Sequence, residues 1–457
     1  MPASKNKTPA ARTHPAHRWP TNPAPNSDSE KVAGPIRRFL RLLGPGFITG
    51  ASDDDPSGIG TYAIAGASVG YGALWTALIT FPLMTGVQEI CDRTALATGQ
   101  SLGALARTRF RRFGRTTVGV LLCALLLANV LNIAADLLAV GAGAHLLHAG
   151  PQSLWAVVAG AAITVLVLTG SFDTIARVFK VLCSALLAYI AVVFFAHVDW
   201  GRVAVNAVVP HPTFSNDYIA LLIAVLGTTI SPYLFFWQSA HRIEELREEP
   251  DGGNRAVPLS ERATSDARLK QRTSRLDVGV GMAFSNLVMF AIIVATASTL
   301  GKNGATNVDS AAQAAEALRP VAGSASTVLF AIGFIGAGFL AVPVLAGSAA
   351  AGISGLVGKR WGFSRKPRQA PVFYVLVAVG TLGGAALSLI GVNPIALLVV
   401  VALVNGLAAG PFLIVVMLIA GNRELMGDYR NGRLASSLGW LTVAVMTAAA
   451  IALLVTL

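Results

Sequence analysis

Charge is scarce in this chain. Of its 457 residues only 13% are Asp, Glu, Lys or Arg, where a soluble domain carries about a quarter. That deficit excludes an ordinary water-soluble fold. Cysteine is scarcer still: Cys91, Cys123 and Cys183 are the whole complement of three. All three fall in apolar stretches without metal-type spacing, so no disulfide framework or zinc module is implied and they read as packing residues. Also missing are the HExxH signature of zinc proteases and any GxxxxGK[ST] nucleotide loop. Residues 1–34, rich in Pro, Ala, Asn and Lys, lack an apolar core. They read as a disordered cytoplasmic tail and not as a cleavable signal, and the pair His14 and His17 in it reads as incidental.

Apolar sequence is what the chain has in abundance: 54% of residues are hydrophobic and the mean hydropathy is +0.63. Runs of roughly 20 apolar residues, the length that crosses a bilayer, recur along nearly all of it. They predict an all-α integral membrane protein with eleven spans at 42–68, 72–98, 116–146, 152–170, 176–197, 218–240, 277–300, 323–347, 371–391, 394–420 and 435–457. Residues 35–457 then form one eleven-span membrane domain, with 241–276 a long polar loop and 308–319 a short outer helix ended by Pro320.

A net charge of +12 would suit a nucleic-acid binder, but its placement argues otherwise. With eleven crossings, all but four of the 35 Lys and Arg fall on one side; Arg202, Lys302 and Arg319 lie opposite and Arg93 in or near a span. This is the positive-inside pattern. It predicts a cytoplasmic N-terminus, an external C-terminus and residence in a bacterial plasma (inner) membrane, with the lipid bilayer as partner, no nucleic acid and no obligate protein partner.

Two of the spans are interrupted. The first carries "ASDDDPSGIGTY" from Ala51 and the sixth "GTTISPY" from Gly227. Pro56 and Pro232 each remove a backbone donor and block a helical bond one turn back. Backbone groups freed at membrane depth are tolerated only where they line a cavity or meet a ligand. Two broken helices five spans apart point to an inverted-repeat transporter whose site lies where the breaks meet. The repeats would run from about 42 to 197 and from about 218 to 420, with 435–457 an added helix. Carboxylates at mid-membrane are costly unless paired, solvated or metal-bound, so Asp53, Asp54 and Asp55 imply a cation.

At these breaks the chain resembles the Nramp family of divalent-metal transporters. The likeness includes "GPGFITG" at Gly44, "GYGALW" at Gly70, "ATGQSL" at Ala97, "GVNP" at Gly391 and "NRELMGDYRNGRL" at Asn422. It implies the LeuT-type fold of the sodium–amino-acid symporters, five plus five inverted helices, with metal bound between broken helices 1 and 6. It also implies where this chain departs. The family's Asp-Pro-Gly-Asn is here Asp55-Pro56-Ser57-Gly58, which keeps the metal-binding aspartate and replaces the asparagine by Gly58. The family's Met-Pro-His is Ser231-Pro232-Tyr233, a second histidine aligns with Gln238, and the Asp and Glu of the proton route align with Asp136 and Ala139.

Losing the thioether leaves an all-oxygen set, Asp55, Ser231 and the carbonyls near Ala51 and Thr228. Such donors suit Mg²⁺, Mn²⁺ or Ca²⁺ better than softer metals. Gly58 in place of Asn is expected to widen the site, which suits a Mg²⁺ that retains waters. The pattern resembles the Nramp-related magnesium transporters that lack the methionine. The expected activity is import of Mg²⁺, Mn²⁺ or both by alternating access without obligatory proton coupling, the metal being substrate and no cofactor being needed.

Around this set, Asp53 and Asp54 read as a field that attracts cations or as a helix cap, and Asp136 as a functional intramembrane acid. Asn405 reads as a ligand or as interhelical glue, Asn129 and Asn132 as glue. Tyr233 and Trp237 read as gate packing, and Glu89, Asp92 and Arg93 as an ion pair closing span 2. The alternatives are a proton-coupled Mn²⁺/Fe²⁺ symporter, a sodium-driven amino-acid symporter, and a Mg²⁺-dependent intramembrane enzyme. Three adjacent carboxylates would repel an amino acid's own carboxylate. Diphosphate enzymes need spaced aspartates on continuous helices, usually in two sets, and only one contiguous set occurs. The expectation is a carrier, not an enzyme.

Overall fold

Proline opens five of the described helices, because its missing N–H falls where a helix has no partner for one. The computed structural model describes residues 44–169, 186–195, 198–210, 212, 215–249, 252, 255–299, 311–316 and 326–456, and all its regular structure there is helical. Helix α1 runs Pro45–Asp53 and α2 Pro56–Val69, followed by a 3₁₀ turn at Gly70–Ala73 and then α3, Trp75–Thr98. Next come α4 (Leu102–Arg109), α5 (Arg112–Leu146), α6 (Gln152–Thr169), α7 (Leu187–Phe195) and α8 (Trp200–Val208). The second half has α9 (Asn216–Thr229), α10 (Pro232–Glu248), α11 (Thr264–Thr299), α12 (Ala311–Glu316) and α13 (Ser326–Leu356). The chain closes with α14 (Pro371–Leu387), α15 (Pro394–Ala420), α16 (Arg423–Met426) and α17 (Arg433–Thr456).

Among the described residues eight helices are long and apolar enough to cross a membrane unaided; Pro56–Ala73 with Trp75–Thr98 qualifies as a pair bent by 108°. The span expected at 176–197 lies largely outside the described residues, as do Arg177, Lys180, Cys183, Lys302, Arg319, Pro320 and residues 1–43.

The long loop expected at 241–276 is shorter. Helix α10 continues to Glu248 and α11 already begins at Thr264. Charged Arg242, placed in that loop by hydropathy, is buried and paired at 3.0 Å with Asp277, the first residue of the next expected span, so the helices run on through them. Besides the one-turn α16, two short helices had no counterpart among the expected spans. They are α4 and α8, the latter capped by the Asp199 carboxylate accepting from the Arg202 amide.

Apolar side chains face outward on the long helices, while a small polar set is buried within an otherwise apolar core. Exposed Leu127, Val165, Val375, Leu382 and Leu454 sit on helix faces that suit lipid, whereas Asp53, Asp54, Asp55, Asp136, Asn132 and Asn405 are buried. This is the arrangement lipid demands of an integral membrane protein. Small residues let the interior helices touch. A Cβ on Gly50 would stand 2.1 Å from the Gly281 carbonyl oxygen, and one on Gly281 2.1 Å from that of Gly46, so α1 lies backbone-to-backbone on α11. Gly227 meets Ala402 and Gly406 in the same way, joining α9 to α15. Helix α13 packs along α5, so α5, α11, α13 and α15 surround the two interruptions.

Candidate metal site at the helix interruptions

The first interruption is two residues long, and its geometry follows from Pro56. Asp54 leaves helical geometry, Asp55 adopts extended backbone, and Pro56 restarts the helix as its first residue. A residue before proline is pushed to extended backbone, and aspartate there can cap the helix that follows. The Asp55 carboxylate does so: one oxygen accepts from the Gly58 amide at 2.8 Å and the Ser57 hydroxyl at 2.6 Å. Its other oxygen accepts from the Tyr233 hydroxyl at 3.2 Å. Tyr233 lies in the first turn of α10, so this bond crosses from the first interruption to the second, and the same hydroxyl also lies 3.2 Å from the Ser52 carbonyl.

The second interruption, Ile230–Ser231, lies within a continuous 33-residue run from Asn216 to Glu248. Ser231 Oγ donates back to the carbonyls of Gly227 and Thr228, each at 2.8 Å. The Thr228 hydroxyl stands 3.2 Å from that of Ser57, a further link across the breaks. Next to it Thr229 meets the Tyr62 hydroxyl at 3.0 Å and the Met289 sulfur at 4.0 Å. Ala51 is fully buried in the last turn of α1, where helix carbonyls lack amide partners.

Of the sequence-selected residues, Asp55, Ser231, Thr228 and Tyr233 are therefore joined by hydrogen bonds spanning both breaks. Gly58 is adjacent, but the space beside it is filled: a Cβ there would meet Asp53 O, Thr228 Oγ1 and Tyr62 Cε2, all at 3.3 Å. The widening expected from the loss of asparagine is absent from this arrangement, because the Tyr62 ring and the Thr228 hydroxyl occupy that side. Asp53 and Asp54 turn away from Tyr233 and share Ser285 of α11, whose hydroxyl donates to Asp53 at 2.8 Å and lies 3.4 Å from Asp54. One oxygen of each has no protein partner.

Asp136 is wholly buried on α5 and neither carboxylate oxygen has a partner within the protein. A Cβ at Gly338 would stand 3.1 Å from the Asp136 carbonyl and 3.7 Å from Pro56 Cγ, so Asp136 lies beside the start of α2. Asn405 is equally buried with both amide atoms unpartnered, one residue before the Gly406 that touches Gly227. Buried polar atoms without partners mark places where water or a ligand completes the bonding. Asn132 is a further case, while Asn129 donates to Leu345 O at 2.7 Å and to Ser348 at 3.0 Å, as interhelical glue. Among the described residues no three His, Cys, Asp or Glu side chains gather in the manner of a closed structural metal centre.

Gln238 belongs elsewhere. Its amide donates to Asp92 at 2.7 Å, and Asp92 also accepts from Arg242 at 2.6 Å and from Ser274. Arg242 in turn meets Glu245 at 2.5 Å and Asp277 at 3.0 Å. Asp277 accepts from the amides of Gly44, Gly46 and Phe47 at 2.7, 2.8 and 3.1 Å, tying down the start of α1. The ion pair expected in span 2 is Glu89–Arg93 at 3.2 Å; Asp92 is drawn into the Arg242 cluster instead. Trp237 packs on His241 and Phe363. Sequence alone missed Ser285, Ser57 and Tyr62, since an intramembrane hydroxyl normally bonds its own helix one turn back and carries no signal of its own.

Residues 46–456 match the family model for Nramp, natural resistance-associated macrophage protein-like. The divalent metal cation transporter MntH of Aeromonas hydrophila is 26% identical over 431 residues, covering 91% of this chain and 96% of that protein. MntH of Deinococcus radiodurans is 24% identical over 431 residues, with coverage of 91% and 90%. The crystal structure of the Eremococcus coleocola manganese transporter superposes with a TM-score of 0.70 at 16% identity, covering 94% of this chain and 88% of that one. Mhp1, a nucleobase-cation-symport-1 family transporter, gives 0.52 at 16% identity, with 91% of each chain covered. At these identities the structural likenesses speak for the fold alone.

Proposed function

The chain belongs to the Nramp family, and from that premise we propose that it carries divalent metal cations across a membrane by alternating access, as the relatives named divalent metal cation transporters and manganese transporter do. The observation that carries the reading is the Asp55 carboxylate, buried at a helix interruption and bonded across to Tyr233 at the other. Among the described residues a charge held there has no cationic partner, and a bound cation supplies one.

In this reading Asp55, Ser231 and the carbonyls of Ala51 and Thr228 are the ligands, completed by water. Ser231 can donate its proton to a carbonyl and still offer a lone pair to the metal. Tyr233 and the Thr228 hydroxyl join the two breaks and separate as the site opens. Asp53, Asp54 and Asn405 supply negative potential and polar lining on the cation's path. The inverted repeat of five plus five helices and the eleven-span count belong to the same reading. So do an N-terminus on the cytoplasmic side of a bacterial plasma membrane and an external C-terminus.

The candidate ligand atoms, the Asp55 carboxylate, the Ser231 hydroxyl and the carbonyls of Ala51 and Thr228, are all oxygen, chemistry that suits Mg²⁺ and Mn²⁺. The curated relatives' names specify divalent metal cations without choosing among them, and the missing thioether favours magnesium. Proton coupling is not obligatory in this scheme. Ala139, Tyr233 and Gln238 stand where the family carries protonatable groups, and a divalent ion falling through 100 mV gains about 4.6 kcal/mol from voltage alone. The unpartnered Asp136 favours the second reading, a proton-coupled Mn²⁺/Fe²⁺ symporter. Proteoliposomes loaded with a pH dye and clamped at fixed potential separate the two. Metal flux that follows voltage with a silent dye supports uniport, and metal-dependent acidification of the lumen establishes coupling.

A further inference from the structure

A second polar concavity lies away from the helix interruptions. A cavity of about 420 Å³ opens between α4, the first turns of α5 and the end of α13, with Gln100, Arg107, Thr108, Arg115, Lys359 and Trp361 in its wall. Three of these are cations, all exposed, and among the described residues none of the three has a carboxylate within ion-pair distance. No Asp or Glu lines the cavity at all.

The wall is built, not incidental. Gly103 and Gly355 bring α4 and α13 into backbone contact, since a Cβ on Gly103 would stand 2.1 Å from Gly352 O and one on Gly355 2.9 Å from the Ala104 amide nitrogen. Gly358, at φ +70°, ends α13 in the left-handed conformation, and the Lys359 amide donates back to Ser354 O at 2.8 Å. This cap swings Lys359 towards α4. Gly358 also leaves room for Arg107, whose Nη1 lies where a side chain at 358 would begin, 1.7 Å from its Cβ position. Arg115 is fixed from the other side by donating to Arg107 O at 2.9 Å. Holding three cations at one concavity without an acid costs repulsion that an anion relieves.

The position selects which anion. Phe113, Val120 and Leu127 of α5 are exposed apolar residues, 86%, 64% and 68% accessible. At 1.5 Å rise per residue, Arg115 lies about 7–8 Å from Val120 along the axis. That is comparable to the interfacial layer of roughly 5–8 Å that flanks each side of the hydrocarbon core. The cations therefore stand at headgroup level, with the exposed apolar Val357, 54% accessible, two residues before Lys359. Orientation by a general excess of basic residues needs no concavity. This cluster has one.

We propose that the Arg107–Arg115–Lys359 cavity binds the phosphate of an anionic glycerophospholipid headgroup at the edge of the bilayer. The test is native mass spectrometry of the full-length protein released from nanodiscs holding equal phosphatidylglycerol and phosphatidylcholine. It is made on the wild type, on Arg107→Gln/Arg115→Gln/Lys359→Gln, and on the control Arg423→Gln/Arg430→Gln/Arg433→Gln. At about a fivefold contribution per basic residue near a charged surface, the first variant should retain phosphatidylglycerol roughly a hundredfold less well. The control should retain it as the wild type does. Equal losses in the two variants would mean diffuse charge and overturn the site. Undiminished retention in the first variant would overturn it as well. A second arm adds millimolar inorganic phosphate or pyrophosphate to detergent-solubilised protein. Displacement of lipid by these soluble anions would assign the cavity to them and overturn the lipid assignment; lipid that stays bound supports it. Should the first variant not be recoverable, Arg115→Gln alone carries the same comparison at about fivefold.

Discussion

Replacing Asp277 by alanine tests how α1 is held. Its carboxylate accepts from three amides at the start of that helix, at 2.7–3.1 Å, and lies 3.0 Å from Arg242 Nη2. Removing one partner of a buried ion pair costs about 3–5 kcal/mol. Arg242 keeps Asp92 and Glu245, so the lower end, about 3 kcal/mol, applies. The loss falls on the contact between α1 and α11, because the bonds deleted are those joining residues 44–47 to residue 277. At about 1.4 kcal/mol per tenfold, local opening of α1 becomes roughly a hundredfold more frequent. Hydrogen–deuterium exchange in nanodiscs reads this directly. Peptides covering 44–53 should exchange about a hundredfold faster in Asp277→Ala, while those from α15 keep their wild-type rate. Asp277→Asn retains one acceptor oxygen and should fall between. Acceleration spread evenly over the chain, or none at 44–53, would refute the idea that this carboxylate pins the helix.

Ser231→Met should raise the ratio of Cd²⁺ to Mg²⁺ affinity by placing a thioether beside Asp55; calorimetry on both proteins measures it, and an unchanged ratio counts against position 231 as a ligand. Gly50→Ala puts a methyl 2.1 Å from Gly281 O and should cost about 1–3 kcal/mol by overpacking, seen as a lowered thermal midpoint. Gly279→Ala, with nothing within 4 Å, should leave that midpoint nearly unchanged. With the potential clamped, metal uptake should track voltage and leave an internal pH dye unmoved.

Long apolar runs made the spans readable, and where proline, glycine or charge bounds a run the ends are readable too. Pro394–Ala420 coincides with the expected segment because Asn393-Pro394 starts it and Gly421 stops it. The restart at Pro56 is as clear, since a proline at the first helical position is local chemistry, although the cap considered for Asp53 or Asp54 is supplied by Asp55. What hydropathy hid were residues whose burial depends on distant partners. Arg242 reads as a loop charge, yet α10 buries it against the distant Asp92 and Asp277. The amphipathic α4 and α8 are too short to register as spans. In the site, Asp55 and Tyr233 followed from the breaks, but Ser285, the shared donor to Asp53 and Asp54, is one serine among many until α11 is laid against α1.

The central claim is that Asp55 holds the transported ion. Uptake of radiolabelled Mn²⁺, and Mg²⁺ entry followed with an internal indicator, should be measured in proteoliposomes of the wild type and of Asp55→Ala at matched protein density. Asp55→Ala should fall to the level of empty liposomes for both ions while remaining monodisperse and helical. Wild-type uptake of either ion by that variant would contradict the claim.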